Sequence, residues 1–450
     1  MDFSDLLQSL GATLYSAGAF VVALSVIVAV HEFGHYIVGR WSGIHAEVFS
    51  LGFGPRLFSR TDRRGTRWQV AAVPFGGYVK FLGDANAASA GADEATMRTL
   101  SPEERRHTMH GAPLWARAAT VVAGPVFNFI LSILIFGAML YVSGIATPEP
   151  QIARILPLPQ AEAGIGAGLA PGDRILAVEG VSTPDYEALA KATDALPSTD
   201  AVGYRILRDG AEMTVTGPHP MPALVLGVLP KSAAIDAGLT VGDVIVAADG
   251  EPIRRFADLQ AAVKDSAGQP VRLRVWREGA YFEAILAARP RPVSAADGGL
   301  ETGYQIGISG GYMFEPATRA PSPLEAAKTG VRASWGIVAT TFDALGAMVS
   351  GAISTCNLNG PIGIAQASGA AASQGLADFV WLVAALSTAI GLLNLFPIPV
   401  LDGGHLVFHA WEWATGRPPP DRVMNVAMAA GLALVLALMV FGLSNDLFCR

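Results

Sequence analysis

Hydrophobic and polar positions divide this chain into two kinds of segment. Residues 6–30, 118–148, 379–401 and 423–445 contain no Asp, Glu, Lys or Arg. Each run exceeds the roughly 20 residues that a membrane-spanning helix needs. Core helices of a large soluble protein are the alternative, but four such runs in one chain are hard to bury otherwise. Four transmembrane helices are therefore expected. Residues 149–291 read differently: they are charged, alternating and turn-rich, as a water-soluble insertion should be.

That insertion contains a repeat. Ala167-Gly168-Leu169-Ala170-Pro171-Gly172-Asp173-Arg174-Ile175 returns as Ala237-Gly238-Leu239-Thr240-Val241-Gly242-Asp243-Val244-Ile245. Each copy runs on into a short strand, then a turn at Glu179-Gly180 or Asp249-Gly250. A helical pattern follows at 186–193 or 256–264, and an alternating strand at 201–207 or 271–276. A period this long suits a small domain rather than a solenoid unit. Further on, residues 324–353 carry apolar positions at helical spacing, interrupted by Arg332 and Asp343. That pattern fits an amphipathic helix on the outer membrane surface. Gly360-Pro361-Ile362-Gly363 reads as a turn into the third span.

Composition sharpens the membrane reading. Of 450 residues, 51% are hydrophobic and only 15% charged, against about 25% charged in ordinary soluble domains. Basic residues crowd the segment between the first two apolar runs, from Arg40 to Arg106, and none precedes it. The positive-inside rule places residues 40–113 in the cytoplasm and the soluble insertion on the opposite side. Asp2 and Asp5 before the first run argue against a cleaved signal peptide, so that segment is expected to be retained. A net charge of −7, without a basic stripe, gives no sign of nucleic-acid binding. Two cysteines, Cys356 and Cys449, are too few for a disulfide framework, though a bridge on the outer side is chemically permitted.

The candidate chemistry begins at His31-Glu32-Phe33-Gly34-His35, where the first apolar run ends. On a helix, His31 and His35 stand one turn apart on one face. That spacing suits two ligands of a tetrahedral Zn²⁺, with Glu32 placed to act on water there. Two imidazoles and a carboxylate at membrane depth are costly to keep without a task. A third protein ligand is needed. Val38 and Trp41 stand where a longer soluble-protease motif would need Gly and His, and Glu47 lies too close downstream. Asp402 is the better candidate. Pro397 and Pro399 break the third apolar run just before it, and irregular backbone at that depth is tolerated only where it lines a polar cavity. His405 and His409 form a competing pair. Asn128 or Asn394 are candidates to bind substrate backbone or an oxyanion. Gly76 and Gly77, with Tyr78, read as a hairpin within 73–82 that dips toward the membrane, where a free edge could pair with an unwound substrate. A plain cytoplasmic turn is the alternative.

These features resemble the site-2 protease family, in its bacterial sigma-E-regulating branch. The resemblance rests on His31 to His35, Phe75-Gly76-Gly77-Tyr78-Val79-Lys80, Gly124-Pro125-Val126-Phe127-Asn128, the paired repeat units, and Asn394 through His405, in family order. The repeat itself resembles tandem PDZ domains of the circularly permuted bacterial type. The resemblance implies that His31, His35 and Asp402 hold zinc and that Glu32 is the catalytic base. It implies an α-helical membrane protein with four spans and two inserted PDZ-like α+β domains facing the periplasm. The expected parts are residues 1–148, an N-terminal membrane portion; 149–220 and 221–292, the two PDZ-like domains; 293–375, a linker with the surface helix; and 376–450, the C-terminal membrane portion. The implied activity is intramembrane cleavage of single-span proteins in a bacterial inner membrane, near its cytoplasmic face. An anti-sigma factor already trimmed outside and remnant signal peptides are the implied substrates. The PDZ-like pair would either capture peptide ends or ectodomain remnants, or act only as a size filter. An inactive membrane scaffold and a metal transporter are the rival readings.

Overall fold

The computed structural model describes residues 3–85, 92–159, 168–229, 232–294 and 299–449. It divides into two compact units. The first comprises Met1–Met139, Pro323–Asp343 and Leu358–Arg450, and the second Leu140–Ser322 with Ala344–Asn357.

In the first unit the charge-free runs become helices, because a continuous apolar stretch satisfies its own backbone groups only in that form. Four are long and apolar enough to cross a membrane: Leu10–Trp41, Leu114–Ser143, Leu376–Asn394 and Asp421–Phe448. Small and hydroxyl residues bring them close, as expected where apolar burial alone cannot drive helices together. Ser132 Oγ donates to the Ala384 carbonyl, 2.5 Å away, and Ser387 Oγ to the Asn128 carbonyl, 2.9 Å away. A Cβ on Gly34 would stand 2.5 Å from the Ala123 carbonyl oxygen. Leu376–Asn394 ends where the prolines begin, and a turn through Ile398 leads to a new helix, Asp402–Thr415. Gly403 and Gly404 lie flush against the backbone of that turn, leaving no room for side chains.

Two elements differ from the sequence expectation. Gly360 is the N-cap of a helix, Pro361–Gln374, rather than part of a turn. Proline suits a first helical position, and Asp446 accepts from the amides of Gly360 and Gly363, each at 3.0 Å. Residues 324–353 are helical over Pro323–Val349, but the buried Ala326, Gly330, Ser334 and Val338 form one face at four-residue spacing. Gly330 abuts the Ile133 carbonyl and Gly137 faces the Ala326 carbonyl. This helix therefore packs along a spanning helix, with only its other faces free.

A curled sheet of Ala46–Thr61 and Arg67–Phe81 completes the unit. The expected hairpin apex at Gly76-Gly77 is not there, since both residues lie within the second strand. The turn falls between the strands, where the Asp62 carboxylate accepts from the amides of Arg64 and Thr66 and from the Trp68 indole. Gly76, at φ +132°, bends the strand in a way only glycine takes readily. Residues 77–81 pair with 46–51, and no described strand pairs with their other side.

In the second unit the repeat becomes two four-stranded sheets of identical order. Val181–Ser182, Arg174–Val178, Val202–Arg208 and Ala211–Gly217 match Glu251–Pro252, Val244–Ala248, Pro270–Arg277 and Ala280–Ala287. Helices Tyr186–Asp194 and Phe256–Asp265 occupy equivalent places in the order. The Asp of each repeat is buried for the same reason. Asp173 caps the Ala170 amide and pairs with Arg208, while Asp243 caps Thr240 and pairs with Arg277. After the second sheet the chain returns as more than a linker. Ile308–Ser309 pairs with Gly227–Val228, and Phe314–Pro316 with Ile152–Ile155. Phe314 is fully buried in the first core.

Candidate metal centre

The site is assembled by three helices. His31 and His35 project from the first spanning helix one turn apart, with their ring centroids 4.7 Å from each other. Asp402 arrives at the first position of Asp402–Thr415, aimed there by the proline break before it. His31 Nε2 lies 3.1 Å from His35 Nε2 and 3.2 Å from Asp402 Oδ2, and His35 Nε2 lies 3.6 Å from that same oxygen. Among the described residues these three are the only cluster of His, Cys, Asp or Glu whose donor atoms lie within 4.8 Å of one another.

The donor set fits a tetrahedral zinc. An ion about 2.0–2.1 Å from each donor sets neighbouring donors about 3.3 Å apart, and the three observed separations bracket that distance. Asp402 Oδ2 is buried without a hydrogen-bond partner, an arrangement that costs free energy unless something else occupies its lone pairs. His35 Nδ1 is 2.8 Å from the Thr120 carbonyl. A carbonyl only accepts, so Nδ1 carries the proton and Nε2 is left as a bare lone pair in the neutral ring.

The helix Leu114–Ser143 makes room for this. Gly124 faces both imidazoles, and a Cβ there would stand 2.8 Å from His31 Cε1 and still nearer His35. Pro125 follows it inside the helix and withholds an amide from the ladder. Gly77 serves the same purpose on the sheet side. Its missing Cβ would lie 2.8 Å from the Ser50 carbonyl oxygen and 3.1 Å from Glu32 Cγ. The Val79 backbone lies beside the Glu32 carboxylate.

A cavity of about 510 Å³ opens onto these groups, lined also by Gly77, Tyr78, Asn394, His405 and His409. Gly76 is outside the lining. His405 and His409 face the cavity without joining the three-donor cluster. Glu47 is engaged by Lys80 at 3.0 Å. Asn128 is placed differently from expectation: it is wholly buried, outside the cavity lining, with its amide 3.2 Å from His31 Nδ1. It touches the back of a histidine and has no open path to a substrate. Thr120 was missed as a site residue, whereas Gly124 and Val79 were read only as parts of the motifs at 124–128 and 75–80. No local signal marks Thr120, because it acts through its backbone carbonyl.

Comparison with known proteins agrees with this geometry. The Peptidase family M50 model matches residues 19–438. A Rhizobium meliloti protein named "Putative zinc metalloprotease R01501" is 38% identical over 439 residues, 96% of each chain. The "Regulator of sigma-E protease RseP" of Salmonella typhimurium is 33% identical over 462 residues, covering 96% of this chain and 98% of its own. Among solved structures, a PDZ domain of an SdrC-like protein from Listeria monocytogenes matches 19% of this chain and 84% of its own, at 19% identity and a TM-score of 0.16. A family match spanning nearly the whole sequence, over a chain with a three-donor cluster beside a glutamate, leaves one conclusion: this protein belongs to Peptidase family M50.

Proposed function

We propose that this protein is a zinc-dependent endopeptidase that cuts single-span membrane proteins within a bacterial inner membrane. The observation that carries the reading is the convergence of His31, His35 and Asp402 beside Glu32, on helices apolar enough to cross a bilayer. His31, His35 and Asp402 would hold the ion. Zinc bound there supplies Lewis acidity that polarises a carbonyl and acidifies water.

The other steps belong to the chain. Glu32 takes a proton from the attacking water and returns it to the leaving amine. A substrate helix hides its scissile carbonyl in its own hydrogen bonds and must be unwound first. The unpaired side of residues 77–81, whose Val79 backbone lies beside Glu32, is the edge on which an extended substrate would lie. Gly76, Gly77 and Tyr78 shape that edge, and Asn394 at the cavity wall is placed to position substrate backbone.

The PDZ-like domains would face the periplasm, with the catalytic end of the cavity near the cytoplasm, as the distribution of arginines requires. The groove of about 650 Å³ between Phe256–Asp265 and residues 301–308 offers room for an extended peptide end. In the first domain the equivalent side is occupied by Tyr186 and Tyr312, with ring centroids 6.2 Å apart. Trimmed ectodomain remnants, such as that of an anti-sigma factor, and leftover signal peptides are the substrates this arrangement suits.

The test is reconstitution of wild type and Glu32→Gln in lipid with a single-span substrate. Cleavage by wild type alone, abolished by a chelator, supports the reading. Equal behaviour of both proteins would make the chain a scaffold.

A further inference from the structure

His31 and His35 are matched, one against one, by two groups on the neighbouring helix. His35 Nδ1 meets the Thr120 carbonyl at 2.8 Å, and His31 Nδ1 meets the Asn128 amide at 3.2 Å. Thr120, Gly124 and Asn128 are spaced by four residues on one helix face, and Gly124 leaves the gap into which both rings settle. The two partners stand eight residues apart and the histidines four, because the Thr120 carbonyl points toward the C-terminal end of its helix and the Asn128 side chain leans back toward the N-terminal end, so both converge on the level of Gly124.

From this juxtaposition we infer that Asn128 is a positioning residue: its amide holds His31 by Nδ1 and sets which ring nitrogen is bare. This rests on the reading of His31, His35 and Asp402 as zinc ligands. A ring that offers Nε2 to a metal must carry its proton on Nδ1, and that proton needs an acceptor. The Thr120 carbonyl is such an acceptor for His35. Asn128 Oδ1 is the corresponding group for His31. It is a buried oxygen with no hydrogen-bond partner, one amide rotation away from the Nδ2 position facing the ring.

An amide serves both states of the site. With Nδ2 toward the ring, it donates to an unprotonated Nδ1, and the proton sits on His31 Nε2, 3.1 Å from the bare Nε2 of His35. Turned over, it accepts from Nδ1–H and frees Nε2 for the ion. The backbone that carries the amide is fixed. Ser387 Oγ donates to the Asn128 carbonyl at 2.9 Å, and a Cβ on Gly391 would stand 3.1 Å from Asn128 Cβ. Rotation of the terminal amide is the freedom left to the side chain.

The experiment compares wild type, Asn128→Leu and Asn128→Asp in the full-length protein, by competition for Zn²⁺ against a chelator and by the visible spectrum of the Co²⁺-loaded form. Leu keeps the bulk and removes the acceptor, whereas Asp keeps an acceptor. The inference expects about a 10–100-fold weaker metal affinity and an altered cobalt spectrum for Leu. It expects affinity within a few-fold of wild type for Asp, with thermal midpoints of the metal-free forms comparable. Unchanged affinity and spectrum in Asn128→Leu overturn the inference, whatever happens to proteolysis. Equal loss in both variants overturns it too, since an acceptor would then make no difference. Wild type that binds no stoichiometric metal is a separate result, and it overturns the zinc reading itself.

Discussion

His31 Nε2 and Asp402 Oδ2, from opposite ends of the sequence, stand 3.2 Å apart. Neither helix reaches the other without the proline-broken turn that aims Asp402 inward. Asp402→Ala should therefore take the purified protein from one zinc per chain to nearly none, while its helical circular dichroism is kept. Stoichiometric zinc in the variant would mean that another group, such as His405, completes the set.

Gly124 lies where both imidazoles pass the neighbouring helix. A methyl group there has no space to enter, because the opposing atoms belong to rings held at their other nitrogens. Gly124→Ala is expected to cost about 1–3 kcal/mol of stability and to abolish zinc binding. Metal titration alongside thermal unfolding checks both. Normal zinc affinity in this variant would show that the rings have slack the packing denies them.

Val79 is on the edge strand, with its backbone beside Glu32. Proline removes the Val79 amide and with it one rung of any strand added alongside. Val79→Pro should lower cleavage of a helical single-span substrate at least about 10-fold with zinc content unchanged, whereas Val79→Ala, which keeps the amide, should stay near wild type. Equal rates for the two variants would remove the edge from the mechanism.

Tyr204 is fully buried in the core of the first repeat, and its hydroxyl donates to the Pro218 carbonyl at 2.5 Å. Burial, assisted by the nearby Glu179 charge, pushes its pKa well above 10.0. The folded state thus keeps a proton that the unfolded chain gives up above pH 10. Its stabilisation is whole below pH 10 and is lost as pH climbs from there toward the raised value. Tyr204→Phe should cost about 1–3 kcal/mol near neutrality by orphaning the carbonyl, and should flatten the alkaline limb of the unfolding curve. An unaltered alkaline limb would assign that proton to another group.

Much of this molecule was legible one residue at a time. Charge-free runs announce spanning helices because lipid forbids unpaired backbone, and the runs at 6–30 and 423–445 needed no partner to be read. The A-G-L-x-x-G-D repeat announces two small domains because its Asp must cap a turn locally, as Asp173 and Asp243 do. Three ionisable side chains within five residues at membrane depth announce chemistry by their cost alone.

Other features depended on what lies across a gap in sequence. The free edge at 77–81 follows from pairing with 46–51, and no local pattern distinguishes a glycine in a bent strand from one at a hairpin tip. The return of 308–316 to pair with 227–228 and 152–155 is a long-range pairing hidden in what reads as a linker. Asn128 carries an amide suited to substrate, histidine or solvent, and only the crossing of two helices at Gly34 and Gly124 turned it toward His31. Local composition determined which segments are helical, which are apolar and which residues bear chemistry, because those properties depend on each residue's own solvation and its near neighbours. The tertiary structure decided which of those residues meet, because a contact between distant segments depends on the packing of everything between them.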